Sequence, residues 1–278
     1  MLELTKENGI AILSEISRRT RKQYLRGEVV QAEGLSIFDT KAGGYPYWPT
    51  SIPFPTNYRG EKLVLLAQIN LEQVPRLSEL PTSGMLQFFI GADDSYGAFG
   101  DMEKHEYAVI YHATINRSVT LEDVLSLDIP TSLTKGIDFP VVGELGLRFE
   151  LAEDCMGLCD CHFENLVKTV ASDLGIALPD KMDALSLVEF VVPTEKDVNE
   201  WFNRSSGDKL GGYPYFTQED PRVDDDDRVL LFQLDSNYKR HLKNYILWGD
   251  CGVGNFFIHP DDLAAKNFDN VFFSWDCC

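Results

Sequence analysis

Apolar residues recur at helical spacing in four stretches of the chain. In residues 5–24, Ile12, Leu13 and Ile16 share one side of a helix, and Thr5 stands in the N-cap position. Gly175 follows another such stretch, as glycine commonly follows the end of a helix. The other predicted helices are 120–125, 163–174 and 195–202, with Thr120 and Thr194 as caps of the first and last.

Short, nearly continuous apolar runs predict β-strands. Residues 62–70 are apolar for most of their length, so we expect this strand to be buried on both faces. Residues 71–80 predict a short crossover, and residues 93–101 predict a Gly- and Asp-rich loop. Residues 128–160 show the least regular pattern. The other predicted strands are Met85–Ile90, Tyr107–His112, 185–192, 229–234, 245–248, Val253–Ile258 and 271–275.

One sequence block occurs twice. Residues 41–48 (KAGGYPYW) match residues 209–216 (KLGGYPYF) at an offset of 168 positions. Three matches in one order indicate an internal duplication. The two further matches, at offsets of 165 and 168 positions, are 65–69 with 230–234 and 88–94 with 256–262.

The duplication decides the predicted architecture. We expect an α+β fold in which two β-rich repeats, about 1–125 and 161–278, are joined by an irregular connection at about 126–160. Each repeat has too few strands to cover its apolar faces alone. We therefore predict a single domain over residues 1–278, with the repeats related by a pseudo-two-fold axis, fused into one body, and helices on the outside.

The repeated block has a structural and a functional interpretation. Paired glycines permit positive φ angles or a close backbone approach, and the last aromatic residue of each block would then cover the next strand. Alternatively, the aromatic side chains form a lip that binds a peptide or a small ligand. The candidate residues are Tyr45, Tyr47 and Trp48 in the first block, and Tyr213, Tyr215 and Phe216 in the second.

Gln68 and Gln233 lie in the middle of apolar strands. A buried side-chain amide must be hydrogen-bonded, so we expect each to bind the backbone of another segment, such as the Gly-Gly loop. A substrate-binding role is the alternative.

The charge balance restricts the partners. The chain has 25 Lys and Arg against 44 Asp and Glu, a net charge of -19. This field repels phosphate backbones and anionic lipids, so we expect no nucleic acid, no membrane, and a basic protein partner. Acidity that serves only solubility is the alternative. The N-terminus lacks the features of a secretory signal, so we expect a cytoplasmic protein with reduced cysteines.

Cys155, Cys159, Cys161 and His162 form the densest set of potential metal ligands. Structural zinc sites usually combine two knuckles far apart in sequence, and here there is one, so we predict no metal and no cofactor. The four aspartates at 224–227 predict a solvated turn, since they are not spaced to converge on calcium. Common catalytic motifs are absent, which favours a non-enzymatic protein without excluding an enzyme.

The segments 43–49, 66–70 and 84–89, with 210–214, 230–235, 248–252 and 255–258, resemble the bacterial YwqG-like family, whose function is uncharacterised. The likeness extends from about residue 41 to 278. The family is more distantly similar to the eukaryotic programmed-cell-death-2-like proteins, which act as chaperones for a ribosomal protein. The resemblance therefore implies a protein-binding role. Relatives at bacterial toxin and immunity loci imply a second role of the same kind.

Two hypotheses follow. The first is a chaperone-like or immunity-like module that binds a basic protein through the aromatic blocks, with the acidic run at 224–227 as an electrostatic attractor. Trp248 and Asp250, in the Trp-Gly turn, are further candidate binding residues. The second is an enzyme or small-ligand binder whose site lies in the groove between the repeats. There the polar groups of Gln68, Gln233, Asp250 and His259 would converge.

Overall fold

The computed structural model of the chain describes residues 1–98, 106–223 and 225–278. Part of the predicted loop at 93–101 and Asp224 of the acidic run lie outside the described residues. The helices are α1 (Lys6–Thr20), α2 (Leu121–Leu125), α3 (Phe163–Asp173), α4 (Ala184–Val191), α5 (Glu195–Asn203) and α6 (Pro260–Ala265). The strands are β1 (Leu2–Glu3), β2 (Lys22–Val30), β3 (Lys41–Gly43), β4 (Val64–Asn70), β5 (Met85–Ile90), β6 (Tyr107–His112), β7 (Val141–Val142), β8 (Glu144–Asp154), β9 (Ile176–Ala177), β10 (Lys209–Gly211), β11 (Val229–Asp235), β12 (Tyr245–Ile246), β13 (Val253–Ile258) and β14 (Phe272–Asp276).

Ten strands form one antiparallel sheet. Its centre is the pair of β2 and β8, in which Glu28 lies opposite Arg148. From β8 the sheet continues through β3, β4, β5 and β6, and from β2 it continues through β10, β11, β13 and β14. The short strands β1 and β9 form a separate pair, and so do β7 and β12.

The sheet curls until strands from its two ends share one core. The ring of Phe88 in β5 stacks on that of Phe232 in β11, with centroids 4.5 Å apart. The hydroxyl of Tyr107 in β6 donates to the carbonyl of Val271, just before β14, at 3.1 Å. Buried side chains from both halves of the chain fill this core. The prediction of an α+β fold with a β-rich body is confirmed.

A second apolar cluster covers the outer face of the first half. Successive side chains of a strand point to opposite faces, so Phe88 faces the shared core while Phe89 faces this outer cluster. Trp48 packs against Phe89 there, with ring centroids 5.7 Å apart. Every residue of β4 is buried, as the sequence predicted for a strand covered on both faces.

Helices α1, α3 and α4 form a cluster of their own. Ile12 and Ile16 of α1 pack in this cluster with Leu187 of α4. The predicted caps are confirmed: the Oγ1 of Thr5 accepts a hydrogen bond from the backbone N–H of Asn8 at 3.2 Å. Thr120 and Thr194 cap α2 and α5 in the same way.

Three secondary-structure predictions were wrong. The stretch at 185–192 is the helix α4, because Asp183 caps it and its apolar residues fall at helical spacing against α1. The first predicted helix ends at Thr20, and β2 begins two residues later. The supposedly irregular residues 128–160 contain β8, the longest strand of the sheet. Its apolar residues alternate with polar ones because much of one face is exposed.

Candidate functional site

The glycines of both repeated blocks adopt the left-handed conformation. Gly44 has a φ of +71° and Gly212 a φ of +76°, which a side chain would strain. A Cβ on Gly44 would lie 2.0 Å from an oxygen of Glu144, and one on Gly212 would lie 2.8 Å from an oxygen of Asp154. Each glycine is therefore required by both its backbone angle and a neighbouring carboxylate.

The side chain of Gln68 hydrogen-bonds to the backbone of the first block and of the segment before it. Its side-chain oxygen accepts from the N–H of Tyr47 at 2.9 Å. Its amide nitrogen donates to the carbonyls of Ile37 and Asp39 at 2.9 and 2.8 Å. The expected clasp on another segment is therefore present.

Gln233 repeats this arrangement in the second block. Its oxygen accepts from the N–H of Tyr215 at 2.8 Å, and its nitrogen donates to the carbonyls of Ser205 and Gly207 at 2.9 and 2.7 Å. We call these two sets of three hydrogen bonds the glutamine clamps. Because both side chains are fully buried and these bonds occupy them, they offer nothing to a ligand.

A buried lysine opens each block. Lys41 and Lys209 are each 1% exposed. The ammonium of Lys41 lies 2.7 Å from a carboxylate oxygen of Glu144, and that of Lys209 lies 2.9 Å from one of Asp154. Burial lowers the pKa of both lysines, and the carboxylates oppose that shift.

The candidate aromatic residues divide between the core and the surface. Tyr47 and Trp48 are each 1% exposed and Phe216 is 4% exposed, so they pack in the interior and present no lip to a partner. Their burial supports the structural interpretation of the block. Tyr45, Tyr213 and Tyr215 are half-buried.

The polar groups proposed for the groove between the repeats do not converge. Trp248 lies inside the shared core, whereas Asp250 is exposed. His259 is also exposed, and its Nδ1 lies 2.7 Å from a carboxylate oxygen of Asp227. With both glutamines committed to clamps, these residues form no common site.

A different set of residues forms an acidic groove of about 410 Å³. It lies between the start of α3, the start of α4 and the segment that follows the second block. Among the described residues, no lysine or arginine lines it, and Leu158, Leu185 and Phe202 give it apolar walls. Its five carboxylates are Asp160, Glu164, Asp183, Glu219 and Asp220.

The carboxylates of the acidic groove differ in how they are held. Asp160 and Asp220 bind Arg222, at 3.1 and 2.6 Å. Asp183 accepts a backbone N–H in the first turn of α4 at 2.7 Å. Glu219 is exposed and makes no hydrogen bond or ion pair within the part of the chain described here. Glu219 is therefore the group most available to a cation.

Sequence reasoning missed the acidic groove. Its carboxylates come from three elements that are far apart in sequence, and acidic residues are common throughout this chain. The sequence feature that could have pointed to the groove is local: Glu219 and Asp220 lie three and four residues after the end of the second block. Only the fold brings α3 and α4 beside them.

The cysteine cluster is not arranged for a metal. Ligand atoms of Asp160, Cys161 and His162 lie within 4.8 Å of one another. However, Arg222 binds Asp160, and the two ring nitrogens of His162 face Asp160 and the carbonyl of Asp226, at 2.9 and 3.0 Å. Burial raises the pKa of Cys161 to about 12, which keeps it a thiol. The other two cysteines donate to backbone carbonyls, Cys155 to Ser17 and Cys159 to Phe202.

Part of the described acidic run has partners within the chain. Asp226 forms an ion pair with Arg228, and Asp227 binds His259. Asp225 is exposed. The run therefore offers less free charge than its four aspartates suggest.

A protein-family model matches residues 40–277, which is more than half of the chain. The chain thus belongs to the family described as Domain of unknown function (DUF1963). This agrees with the expected likeness to an uncharacterised family, although the match does not carry the name YwqG-like. A comparison with curated proteins gave no match. No helix in residues 1–98, 106–223 or 225–278 has the length and apolarity to cross a membrane.

Proposed function

We propose that this protein is a non-catalytic binding protein that holds a basic segment of another protein in the acidic groove. The observation that carries the proposal is a concave site with five carboxylates and no lysine or arginine on its walls. Apolar walls beside the carboxylates suit lysine and arginine side chains, which bury an aliphatic stem and keep a charged end.

The carboxylates that already have partners in the chain also contribute to the groove, beside the free Glu219. Arg222, His162 and backbone N–H groups hold both oxygens of Asp160 and Asp220, so these two carboxylates are fixed in place and shape the floor of the groove. The Cys159 and Cys161 thiols that line the groove stay neutral, since burial raises their pKa to about 11 and about 12. Asp160 and Asp220 pair with Arg222 and Glu164 pairs with Lys168, so within the described residues Asp183 and Glu219 carry the unpaired negative charge of the groove.

The whole chain favours the same class of partner. Its net charge of -19 attracts a basic protein and speeds encounter. The resemblance to the programmed-cell-death-2-like chaperones and to proteins of toxin and immunity loci fits a chaperone-like or immunity-like role, and a cytoplasmic location suits both. The half-buried Tyr45, Tyr213 and Tyr215, with the exposed Asp250, remain candidate contacts for a partner, although none of them lines the groove.

We also propose that a duplication produced the fold, as one domain of two repeats. In support, the two arms of the sheet have corresponding order, and Lys41 pairs with Gln68 as Lys209 pairs with Gln233. The register shifts in β4 and β11 fall at matching positions. The pseudo-two-fold axis would pass near the pair of Glu28 and Arg148.

Fluorescence anisotropy tests the acidic groove. A labelled peptide rich in lysine and arginine is titrated with the protein, beside a peptide of the same length in which glutamine replaces the basic residues. We expect binding of the basic peptide alone. It should weaken several-fold between about 0.05 M and about 0.5 M salt, because salt screens exposed charges.

Two charge reversals serve as a matched pair. Glu219→Lys places a cation at the groove, and we expect at least about tenfold weaker binding. Glu33→Lys makes the same change in net charge at an exposed residue that does not line the groove, and should have a small effect. Equal weakening by the two variants would show that net charge alone attracts the peptide and would contradict a specific groove.

A further inference from the structure

A small apolar cavity of about 230 Å³ lies between the two halves of the chain, beside the second Gly-Gly pair. Leu77 and Leu80 come from the crossover after β4, while Leu230 and Leu263 come from β11 and α6. It adjoins a second cavity of about 340 Å³, with which it shares Leu80, Val229 and Leu263. We call this pair of spaces the leucine cavity.

Lys22 is the one lysine among the described residues that line the smaller space of the leucine cavity. The Nζ atom lies 3.9 Å from the centre of the Tyr213 ring, so the cation sits over an aromatic face. Within the described residues, this Nζ makes no hydrogen bond and no ion pair. The Lys22 side chain is half-buried, and burial lowers its pKa.

The charges around Lys22 are already committed elsewhere. The carboxylates that favour its charged form are those of Asp160, Asp154 and Glu79. Asp154 binds Lys209 and Asp160 binds Arg222. Glu79 is an exposed residue of the cavity rim, where it accepts a hydrogen bond from Ser78. None of them reaches the ammonium closely enough to pair with it.

A comparison with the two fully buried lysines shows what the half-buried Lys22 lacks. Lys41 and Lys209 each have a carboxylate within 3 Å, as the cost of burying a cation requires. Lys22 has an aromatic face on one side and an apolar cavity on the other. The missing partner is an anionic acceptor that enters through the cavity.

We propose that the leucine cavity binds a small molecule with an apolar body and a single carboxylate, and that Lys22 holds the carboxylate. The walls are mainly leucine and valine, so the body is apolar. The first cavity alone has room for roughly eight heavy atoms, at about 30 Å³ each. Two lysines, Lys22 and the exposed Lys266, and the carboxylate of Glu79 line the leucine cavity, and this charge balance favours a monoanion over a dianion such as a phosphate. This site is separate from the acidic groove and does not depend on the peptide-binding proposal.

Isothermal titration calorimetry tests this site with octanoate as the probe, below its micellar concentration. Octanol and octylamine have the same apolar chain and differ only in the head group. We expect octanoate to bind the full-length protein, with octanol at least about tenfold weaker and octylamine weaker still. Octanoate should also raise the thermal midpoint of unfolding, because it binds the native state.

Two variants separate the ammonium from the cavity. Lys22→Met keeps an apolar stem and removes the charge, so octanoate binding should fall to the level of octanol. Val229→Phe fills the shared wall of the two cavities and should weaken octanoate and octanol together. Lys181→Met removes a charge from an exposed lysine outside the cavity and should leave binding unchanged.

The result that supports the proposal is a preference for octanoate over octanol that Lys22→Met abolishes. Equal affinity for octanoate and octanol, or unchanged octanoate affinity in Lys22→Met, would overturn it. So would the absence of octanoate binding to the wild-type protein.

Discussion

At the scale of single residues, buried charges are the least expected feature of this protein. Lys41 and Lys209 open the two Gly-Gly blocks from positions that are 1% exposed. Each is paired with a carboxylate that also lies beside the glycines of its own block. The charge pair therefore fixes the block against the central strand β8.

Removing one member of such a pair leaves an uncompensated buried charge. We predict that Lys209→Met lowers the free energy of unfolding by about 3–5 kcal/mol, since Asp154 then loses its cation. Equilibrium unfolding in urea measures the change. Lys181→Met, at an exposed lysine, should change stability by less than about 0.5 kcal/mol. A similar small effect for Lys209→Met would contradict this role.

A second buried group makes stability depend on pH. Burial raises the pKa of Asp208 to about 7, with the neighbouring Asp235 carboxylate adding to the shift. The folded state thus binds a proton that the unfolded state releases at lower pH, so the wild type loses stability as pH rises from about 4 to about 7. At the matching positions of the first half, Thr40 and Asn70 are neutral.

We therefore predict that Asp208→Asn stabilises the protein above pH 7 by on the order of 3 kcal/mol. The asparagine keeps an oxygen to accept the N–H of Asp235, now 2.9 Å from Asp208. Thermal unfolding should show little difference between variant and wild type near pH 4 and a growing difference up to pH 7. A difference that is independent of pH would exclude a titrating Asp208.

Sequence predicted some of these residue roles. A glutamine inside an apolar strand must find hydrogen-bond partners, so the clamps of Gln68 and Gln233 follow from the sequence alone. The burial of Lys41 and Lys209 could not be predicted in this way, because an isolated lysine is almost always exposed. Their repetition at the first position of both blocks was the available signal.

At the scale of elements, the glutamine clamps tie the repeated blocks to their neighbouring strands. We predict that Gln68→Leu and Gln233→Leu each lower the free energy of unfolding by at least about 3 kcal/mol, because each change leaves three backbone groups without partners. The two costs should be similar, since the three bonds of each clamp correspond one to one, and Gln68 accepts one further bond, from the side-chain amide of Gln87 at 3.1 Å. Urea unfolding with Gln23→Leu, at an exposed position of β2, gives the control.

The elements that the sequence mispredicted are those with weaker local patterns. Strand β8 alternates apolar residues at Leu145, Leu147, Phe149 and Leu151, a signal that a search for continuous apolar runs passes over. The segment that forms α4 contains Val188, Phe190 and Val191, β-branched and aromatic residues that favour strands when taken alone. Its N-cap and its packing on α1 outweigh that preference.

At the scale of the whole molecule, the curled sheet gives both halves one core. The ring of Phe88 in the first half stacks on that of Phe232 in the second. The ring centroid of Phe256 lies 4.9 Å from that of Phe88. We predict one cooperative unfolding transition, with the same midpoint by far-ultraviolet and near-ultraviolet circular dichroism. Two separate midpoints would indicate that the halves unfold independently, and would contradict a single domain.

The function was less predictable than the fold at this scale. Net charge indicated a basic partner, but the site itself comes from side chains that only the folded chain assembles. The aromatic residues of the two blocks were candidate binding residues because they are repeated. Three of them, Tyr47, Trp48 and Phe216, are buried and pack in the interior. Repetition identified the scaffold and not the binding site.

The most direct test of the acidic groove is its mapping by nuclear magnetic resonance. Backbone amide signals of the ¹⁵N-labelled protein are followed while an unlabelled basic peptide is added. We predict that the largest shifts fall at residues 158–164, 183–185 and 218–220, and that Glu219→Lys removes them. Shifts centred elsewhere, or none at peptide concentrations that saturate the anisotropy signal, would contradict the groove as the binding site.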